Sequence, residues 1–279
     1  MPKYNFKKAT ISGAPLNNKG IGVFDSGVGG LTVVKELVRK MPSEKIIYLG
    51  DTAHTPYGSK TKETIIKFSR ENIRFLITKN IKLVLIACNT ASALALANVK
   101  KYFDIEIIGV IDAGAKAAVS VSKNGRIGVI GTIATIKSGA YPNAIKEYDK
   151  NIKVFVKATP LLVPLVEEGR LASPETKGIL EKYLLYFKEK KIDTLVLGCT
   201  HYPLLKKNIM KILPKVKVID SAIEIAKDTA NFLEARGLGA VLYNKGESAF
   251  YVTDNPERFN KVGKTFLKKE MIPAKLVKF

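Results

Sequence analysis

Reactive side chains are scarce in this sequence. Its 279 residues include only two cysteines and two histidines. None of the four shows the short paired spacing that metal sites use, so no metal is expected. Arginine is scarce as well: seven residues (Arg39, Arg70, Arg74, Arg126, Arg170, Arg236 and Arg258) stand against a lysine excess that carries the net charge to +21. Nucleic-acid recognition relies on arginine forks, and these lysines are scattered. The charge is therefore read as a solvated basic surface, and no nucleic-acid partner is required. Such a field would still draw in a small anionic substrate.

Long hydrophobic runs are also missing. The first twenty residues hold no apolar stretch able to act as a signal sequence,. The longest apolar stretch, 83–99, is interrupted by Asn89, Thr90, Ser92 and Asn98 and falls short of the about 20 residues a membrane span needs. It reads as a buried strand, a turn and a helix. A cytoplasmic protein with free thiols and no membrane attachment is expected.

Otherwise the composition is that of a globular protein, 46% hydrophobic and 25% charged, long enough for two domains of roughly 100–150 residues. Residues 1–19 are polar and basic without a period and read as a flexible extension. Short β-branched runs follow at 20–25, 45–51, 81–88, 105–112, 126–132, 152–159, 192–199 and 216–222. Helix candidates lie between them, notably 31–40, 61–79 and 175–190. Apolar runs without alternation, separated by helical periods, indicate parallel strands covered on both faces. The fold class is α/β.

The two halves repeat. Ile21 of GIGVFDS pairs with Ile127 of RIGVIGT, Thr52 with Thr159, Cys88 with Cys199, and the Val-Ile-Asp of 110–112 with that of 218–220, at offsets of 106, 107, 111 and 108. Two similar α/β domains are predicted, 20–112 with 222–279 and 113–221, meeting at their carboxyl strand ends around a cleft.

The polar motifs fall at those strand ends. Asp25-Ser26-Gly27-Val28-Gly29-Gly30 leads into a helix and could cradle an anion on backbone amides, although the full dinucleotide fingerprint and a phosphate-loop lysine are absent. Asp25 is a candidate for orienting or deprotonating a neighbour. In the next loop Pro56-Tyr57-Gly58 fixes a turn and offers a hydroxyl to a ligand carboxylate. Asp51 and Thr52 read equally well as caps for the helix near Thr61. Cys88-Asn89-Thr90 and Cys199-Thr200-His201 carry more weight. A thiol at a helix N-terminus has its pKa lowered from about 8.5 and can serve as a base, and His201 could assist Cys199. A single cysteine nucleophile with a histidine base is also open, but it leaves the second cysteine unexplained.

In this order, FDSGVGG, GDTAHTPYG, ACNTASA, GTIATIKSGAY, PLVEEG and GCTHYPLL resemble the glutamate racemases of the cofactor-independent aspartate/glutamate racemase family, from about Ile21 to the FYVTDNPERF segment. The resemblance implies two pseudo-two-fold-related α/β domains with the active site between them. It also implies interconversion of L- and D-glutamate for peptidoglycan synthesis, no cofactor, no metal and a homodimer. By resemblance Cys88 exchanges the Cα proton with D-glutamate and Cys199 with L-glutamate, Asp25 supports Cys88, and His201 supports Cys199 together with Glu167 or its neighbour Glu168. Asp25, Ser26, Pro56, Tyr57, Gly58, Asn89, Thr90, Thr132 or Thr135, Thr200 and His201 would hold the substrate. The sequence departs from the family pattern at VTDNPERF, where a glycine before Asp-Pro is more usual.

Overall fold

A computed structural model describes residues 16–240, 248–267 and 273–279. The expected extension over 1–19 therefore lies mostly outside the described residues. Its last residues form a short 3-10 turn, Leu16–Asn18.

Strand and helix alternate along the chain. The first half runs β1 (Gly20–Asp25), α1 (Leu31–Lys40), β2 (Ile46–Gly50), α2 (Lys62–Ile77), β3 (Ile81–Ile86), α3 (Asn89–Tyr102), β4 (Glu106–Gly109) and α4 (Val110–Val121). The second runs β5 (Arg126–Gly131), α5 (Ile133–Lys137), α6 (Ala140–Tyr148), β6 (Lys153–Ala158), α7 (Leu162–Glu167), α8 (Pro174–Glu189), β7 (Thr194–Gly198), α9 (Lys206–Ile212) and β8 (Lys217–Asp220). The chain then passes through α10 (Ser221–Ala235), β9 (Ala249–Val252), α11 (Pro256–Leu267) and β10 (Lys275–Leu276).

Two parallel sheets result, ordered β10-β9-β2-β1-β3-β4 and β6-β5-β7-β8. Every residue of β1, β2, β3 and β7 is buried. This is why these strands read as unbroken apolar runs: helices cover both faces and no position alternates to water. A fully buried Ile or Leu contributes about 1.5–3 kcal/mol, so strands such as IKLVLI hold the centre of each sheet.

The repeat is topological. The order β2-β1-β3-β4 recurs as β6-β5-β7-β8, and the central register matches: Ile21 pairs with Leu83 as Ile127 pairs with Thr194. Leu83 and Thr194 are separated by the same 111 positions as the two cysteines. Two of the expected pairings shift. The backbone N–H of Asp51 donates to Asp25 O as that of Thr159 donates to Gly131 O, both at 2.9 Å, so Asp51 rather than Thr52 is the counterpart of Thr159. Gly109 and Asp220 occupy equivalent ladder positions. Val110-Ile111-Asp112 therefore opens α4, while the other Val-Ile-Asp lies inside β8. Similar apolar strings match by chance; ladder hydrogen bonds decide the register.

The sheets are joined through a shared core. The largest apolar cluster includes Ile21, Val23 and Leu83 of the first sheet, Ile130, Leu195 and Leu197 of the second, and Ala222, Ile225 and Ala226 of α10. Helix α10 packs against both α1 and α4, and the expected domain limit at 112/113 falls within α4.

Candidate active site

The carboxyl ends of β1, β3, β5 and β7 converge on a cleft of about 790 Å3, counted to its open mouth. Ser26, Pro56, Tyr57, Gly58, Cys88, Asn89 and Thr90 line it from the first lobe. Thr132, Cys199, Thr200 and His201 line it from the second. Both cysteines are free and buried. The sequence also missed lining residues: Thr55, Ser59, Ile133, Pro160, Val163 and Pro164. These are ordinary loop and helix residues, and only the approach of the two lobes gives them a role.

Cys88 is the residue before α3 and its sulfur accepts from the Ala91 N–H at 3.5 Å. Ser26 Oγ lies 3.7 Å from the same sulfur. The expectation that the helix terminus lowers this thiol's pKa is reversed. Burial, and then the charge of Asp25, push it up to about 12 against the hydrogen bonds with Ala91 and Ser26. Stripping a thiolate of water costs more here than one N–H and a partial helix charge return.

Cys199 sits differently. It precedes a 3-10 turn, Tyr202–Leu205, rather than a long helix, so its local environment is not a copy of that of Cys88. Its sulfur lies 3.7 Å from His201 Nδ1, and His201 Nε2 lies 3.0 Å from Glu167 Oε1. Burial alone would pull this imidazole down. The hydrogen bonds and charges of Cys199 and Glu167 outweigh it and push the ring up to about 10. The bond from His201 in turn holds the Glu167 carboxyl below the usual carboxylate range, over the opposing effect of burial. The structure brings Glu167, at the end of α7, to the histidine; Glu168 is the residue after the helix. Arg258 of α11 adds a guanidinium 3.6 Å from Glu167 Oε2, a contact between distant segments that nothing in the sequence signalled.

Asp25 is fully buried behind the wall. Its Oδ2 accepts from the Gly27 N–H at 3.0 Å, and its Oδ1 accepts from Thr200 Oγ1 at 3.4 Å. Burial raises this carboxyl above its ordinary value, although the positive His201 and three hydrogen bonds oppose the change. The carboxylate thus ties the first strand's end to the Cys199 loop while its field reaches Cys88.

The glycines of DSGVGG serve close packing. A β-carbon on Gly29 would overlap Thr200 Oγ1, so the turn admits the Cys199 loop of the second lobe only without a side chain,. Across the cleft Thr90 Oγ1 lies 2.9 Å from Thr132 Oγ1 and 3.2 Å from Thr135 Oγ1. Thr132 caps α5 by accepting from the Thr135 N–H at 3.2 Å. Thr135 stands behind the wall, where it supports the two hydroxyls that face the cleft.

Two expectations about the second loop change. The Tyr57 hydroxyl donates to Asp51 Oδ2 and accepts from Asn72 Nδ2 at 3.0 Å, so its proton is committed to bracing the loop. Asp51 does not cap α2; Thr61 does, accepting from the Thr64 N–H. Asp51 also accepts from Thr253 Oγ1 at 2.9 Å and faces His54 Nδ1 at 2.8 Å. The loop thus needed a buried acceptor more than the helix needed a second cap.

Among the described residues no three His, Cys, Asp or Glu side chains gather as a metal-ligand set, and no helix is long and apolar enough to cross a membrane.

Fold and cleft together define a class: two-lobed α/β proteins with one thiol on each wall and a histidine–carboxylate pair behind one of them. A family model described as Asp/Glu/Hydantoin racemase matches residues 21–229, and the chain belongs to that family. It is 49% identical to the glutamate racemase of Chlorobaculum tepidum over 92% of this chain and 95% of the relative. The structure is similar to that of a glutamate racemase isoform of Bacillus anthracis, with TM-score 0.91, 39% identity and coverage of 94% and 98%. It is also similar to a Francisella tularensis glutamate racemase solved with D-glutamate, with TM-score 0.88, 42% identity and coverage of 94% and 98%.

Proposed function

We propose that this enzyme interconverts L- and D-glutamate by proton transfer between two thiols and the α carbon. The observation that carries this reading is the placement of Cys88 and Cys199 at equivalent strand ends of two repeated sheets, on the walls of one cleft. Inversion at carbon requires a base on one face and an acid on the other, and two sulfurs related by a repeat satisfy that need. High identity to glutamate racemases along nearly the whole chain supports glutamate as the substrate. Similarity to a solved aspartate racemase and to an aspartate racemase homologue, at 20% and 19% identity, concerns the fold alone.

In the L-to-D direction a Cys199 thiolate removes the Cα proton. The electron pair left on carbon takes a proton from the Cys88 thiol on the opposite face, which leaves a Cys88 thiolate and a Cys199 thiol. The reverse reaction restores the starting state. His201, held by Glu167, faces the Cys199 sulfur through Nδ1 and is placed to assist its proton transfer,. The raised Cys88 thiol holds its proton and is ready to donate. Charge developing next to the substrate carboxylate is met by the hydroxyls of Ser26, Thr90 and Thr132 and by the Asn89 amide, all fixed before the reaction. The lobes 20–112 with 222–279 and 113–221 supply the two walls and exclude water between them.

The product serves cytoplasmic peptidoglycan synthesis, and the enzyme is a homodimer; mass in solution by light scattering tests the second point. Incubation with L-glutamate in deuterated water tests the reaction. Deuterium should appear at Cα of D-glutamate. Label incorporated into aspartate and never into glutamate would overturn the substrate assignment.

A further inference from the structure

One side chain of the GTIATIKSGAY motif touches both thiol-bearing turns without entering the cleft. Tyr141, at the start of α6, is 1% exposed. Its hydroxyl donates to Asn89 Oδ1 at 2.7 Å, across the lobes, and Asn89 is the residue after Cys88. Its ring lies against the residue before Cys199: a β-carbon on Gly198 would meet Tyr141 Cε2 at 3.0 Å. A larger residue at 198 would push the ring off this line.

Asn89 lines the cleft and is 2% exposed. Its carbonyl oxygen is taken by Tyr141, whereas its Nδ2 is buried without a partner among the described residues. Glu44 Oε2, also without a hydrogen bond, is paired with Lys82, and of the other such atoms among the described residues, on Ser69, Asn72 and Asn89, only that of Asn89 belongs to a cleft residue. A buried amide that lacks its hydrogen bond is destabilising, and a ligand that supplies an acceptor recovers that cost. The amide could in principle turn over and present its oxygen. The phenol proton donated to Oδ1 opposes this and fixes the amide with its donor side toward the ligand,.

We propose that Tyr141 is a positioning residue for substrate binding: it holds the Asn89 amide so that Nδ2 donates to a carboxylate oxygen of the bound amino acid, and it links this donor to the Cys199 turn. The inference rests on the glutamate reading above. It predicts a binding effect on both enantiomers alike, because the donor meets a carboxylate and neither face of Cα.

The test is Tyr141→Phe, which removes one oxygen and keeps the ring. Racemisation is followed from each enantiomer by circular dichroism, beside wild type. Loss of one positioning hydrogen bond should raise KM for both L- and D-glutamate about tenfold, with kcat changed less than about threefold and the thermal midpoint nearly unchanged. In an Asn89→Ala background Tyr141→Phe should add nothing further, as expected of residues that act in one chain. Unchanged KM in Tyr141→Phe, or a full additional effect in the Asn89→Ala background, would overturn the proposal. Asn89→Asp decides the matter independently, including the case in which Tyr141→Phe does not fold. It keeps the acceptor for Tyr141 and replaces the donor with a negative acceptor, so glutamate binding should be abolished. Binding retained by Asn89→Asp would mean that an oxygen faces the ligand and would sink the idea. Failure of wild type itself to racemise glutamate would overturn the underlying reading instead.

Discussion

A β-carbon placed on Gly29 would stand 2.5 Å from both Cε1 and Nδ1 of His201. The glycine-rich turn of the first lobe is thus the surface against which the second lobe's histidine is set. Nδ1 is also the atom that faces Cys199, so displacement of the ring changes the thiol's partner. Gly29→Ala should fold, because neither sheet is touched, and should lower kcat/KM at least about tenfold, the order expected when a general acid–base group is misplaced. Steady-state kinetics beside a far-ultraviolet spectrum would check this. Wild-type kinetics would show that the ring can move away freely.

The two thiols should be separately indispensable. Cys88→Ser or Cys199→Ser should reduce racemisation by at least about 10²-fold, because each direction uses one sulfur as base and the other as acid. L- and D-glutamate have equal free energies, so kcat/KM must fall by the same factor in both directions. The asymmetry should appear instead in a one-sided reaction. Loss of a β leaving group from a glutamate analogue needs only the base, and each serine variant should retain it for one enantiomer alone.

His201 links stability to pH. Its folded value, pushed up to about 10, exceeds the ordinary value of 6.5. Its proton therefore stabilises the fold fully below about pH 6.5, and that contribution is lost as pH rises through about 10. Denaturant unfolding between pH 6 and 10.5 should show a decline in this window that is reduced in His201→Asn. Parallel decline in both proteins would remove His201 as its source.

Asp25 should control the reactivity of Cys88. After burial, its negative charge is the main cause of the raised thiol. Asp25→Asn removes that charge and keeps the shape, so the Cys88 pKa should fall and alkylation at a fixed pH near 8 should become faster. The rate can be followed by mass spectrometry of the Cys88 peptide. A rate equal to or below that of wild type would contradict the electrostatic account.

The Tyr57–Asp51 contact is structural. Tyr57→Phe leaves a buried carboxylate short of one donor and should cost about 1–3 kcal/mol in denaturant unfolding. The effect on KM should be small, since the hydroxyl proton is committed to Asp51.

Much of this was legible beforehand. The strands at 20–25, 81–86 and 126–131 and the helix at 31–40 follow from apolar runs and periods that are local properties of the chain. The cysteines could be singled out because they are rare and end similar strands. The pairing of His201 with Glu167 came from the family resemblance, but the contact of Arg258 with Glu167, the phenol of Tyr141 behind Asn89 and the true counterpart of Thr159 were not legible. Each depends on atoms from segments tens of residues apart, and sequence spacing carries no distance.

The sequence by itself determined an α/β protein with a repeated half and two thiols at corresponding strand ends, because burial on both faces and side-chain scarcity leave marks in linear order. Only the tertiary structure decided that those thiols differ. One is buried beside a carboxylate and pushed up to about 12, and the other lies against an imidazole pushed up to about 10. Proton affinity depends on desolvation and on nearby charge, and both are fixed only when the two lobes close on each other.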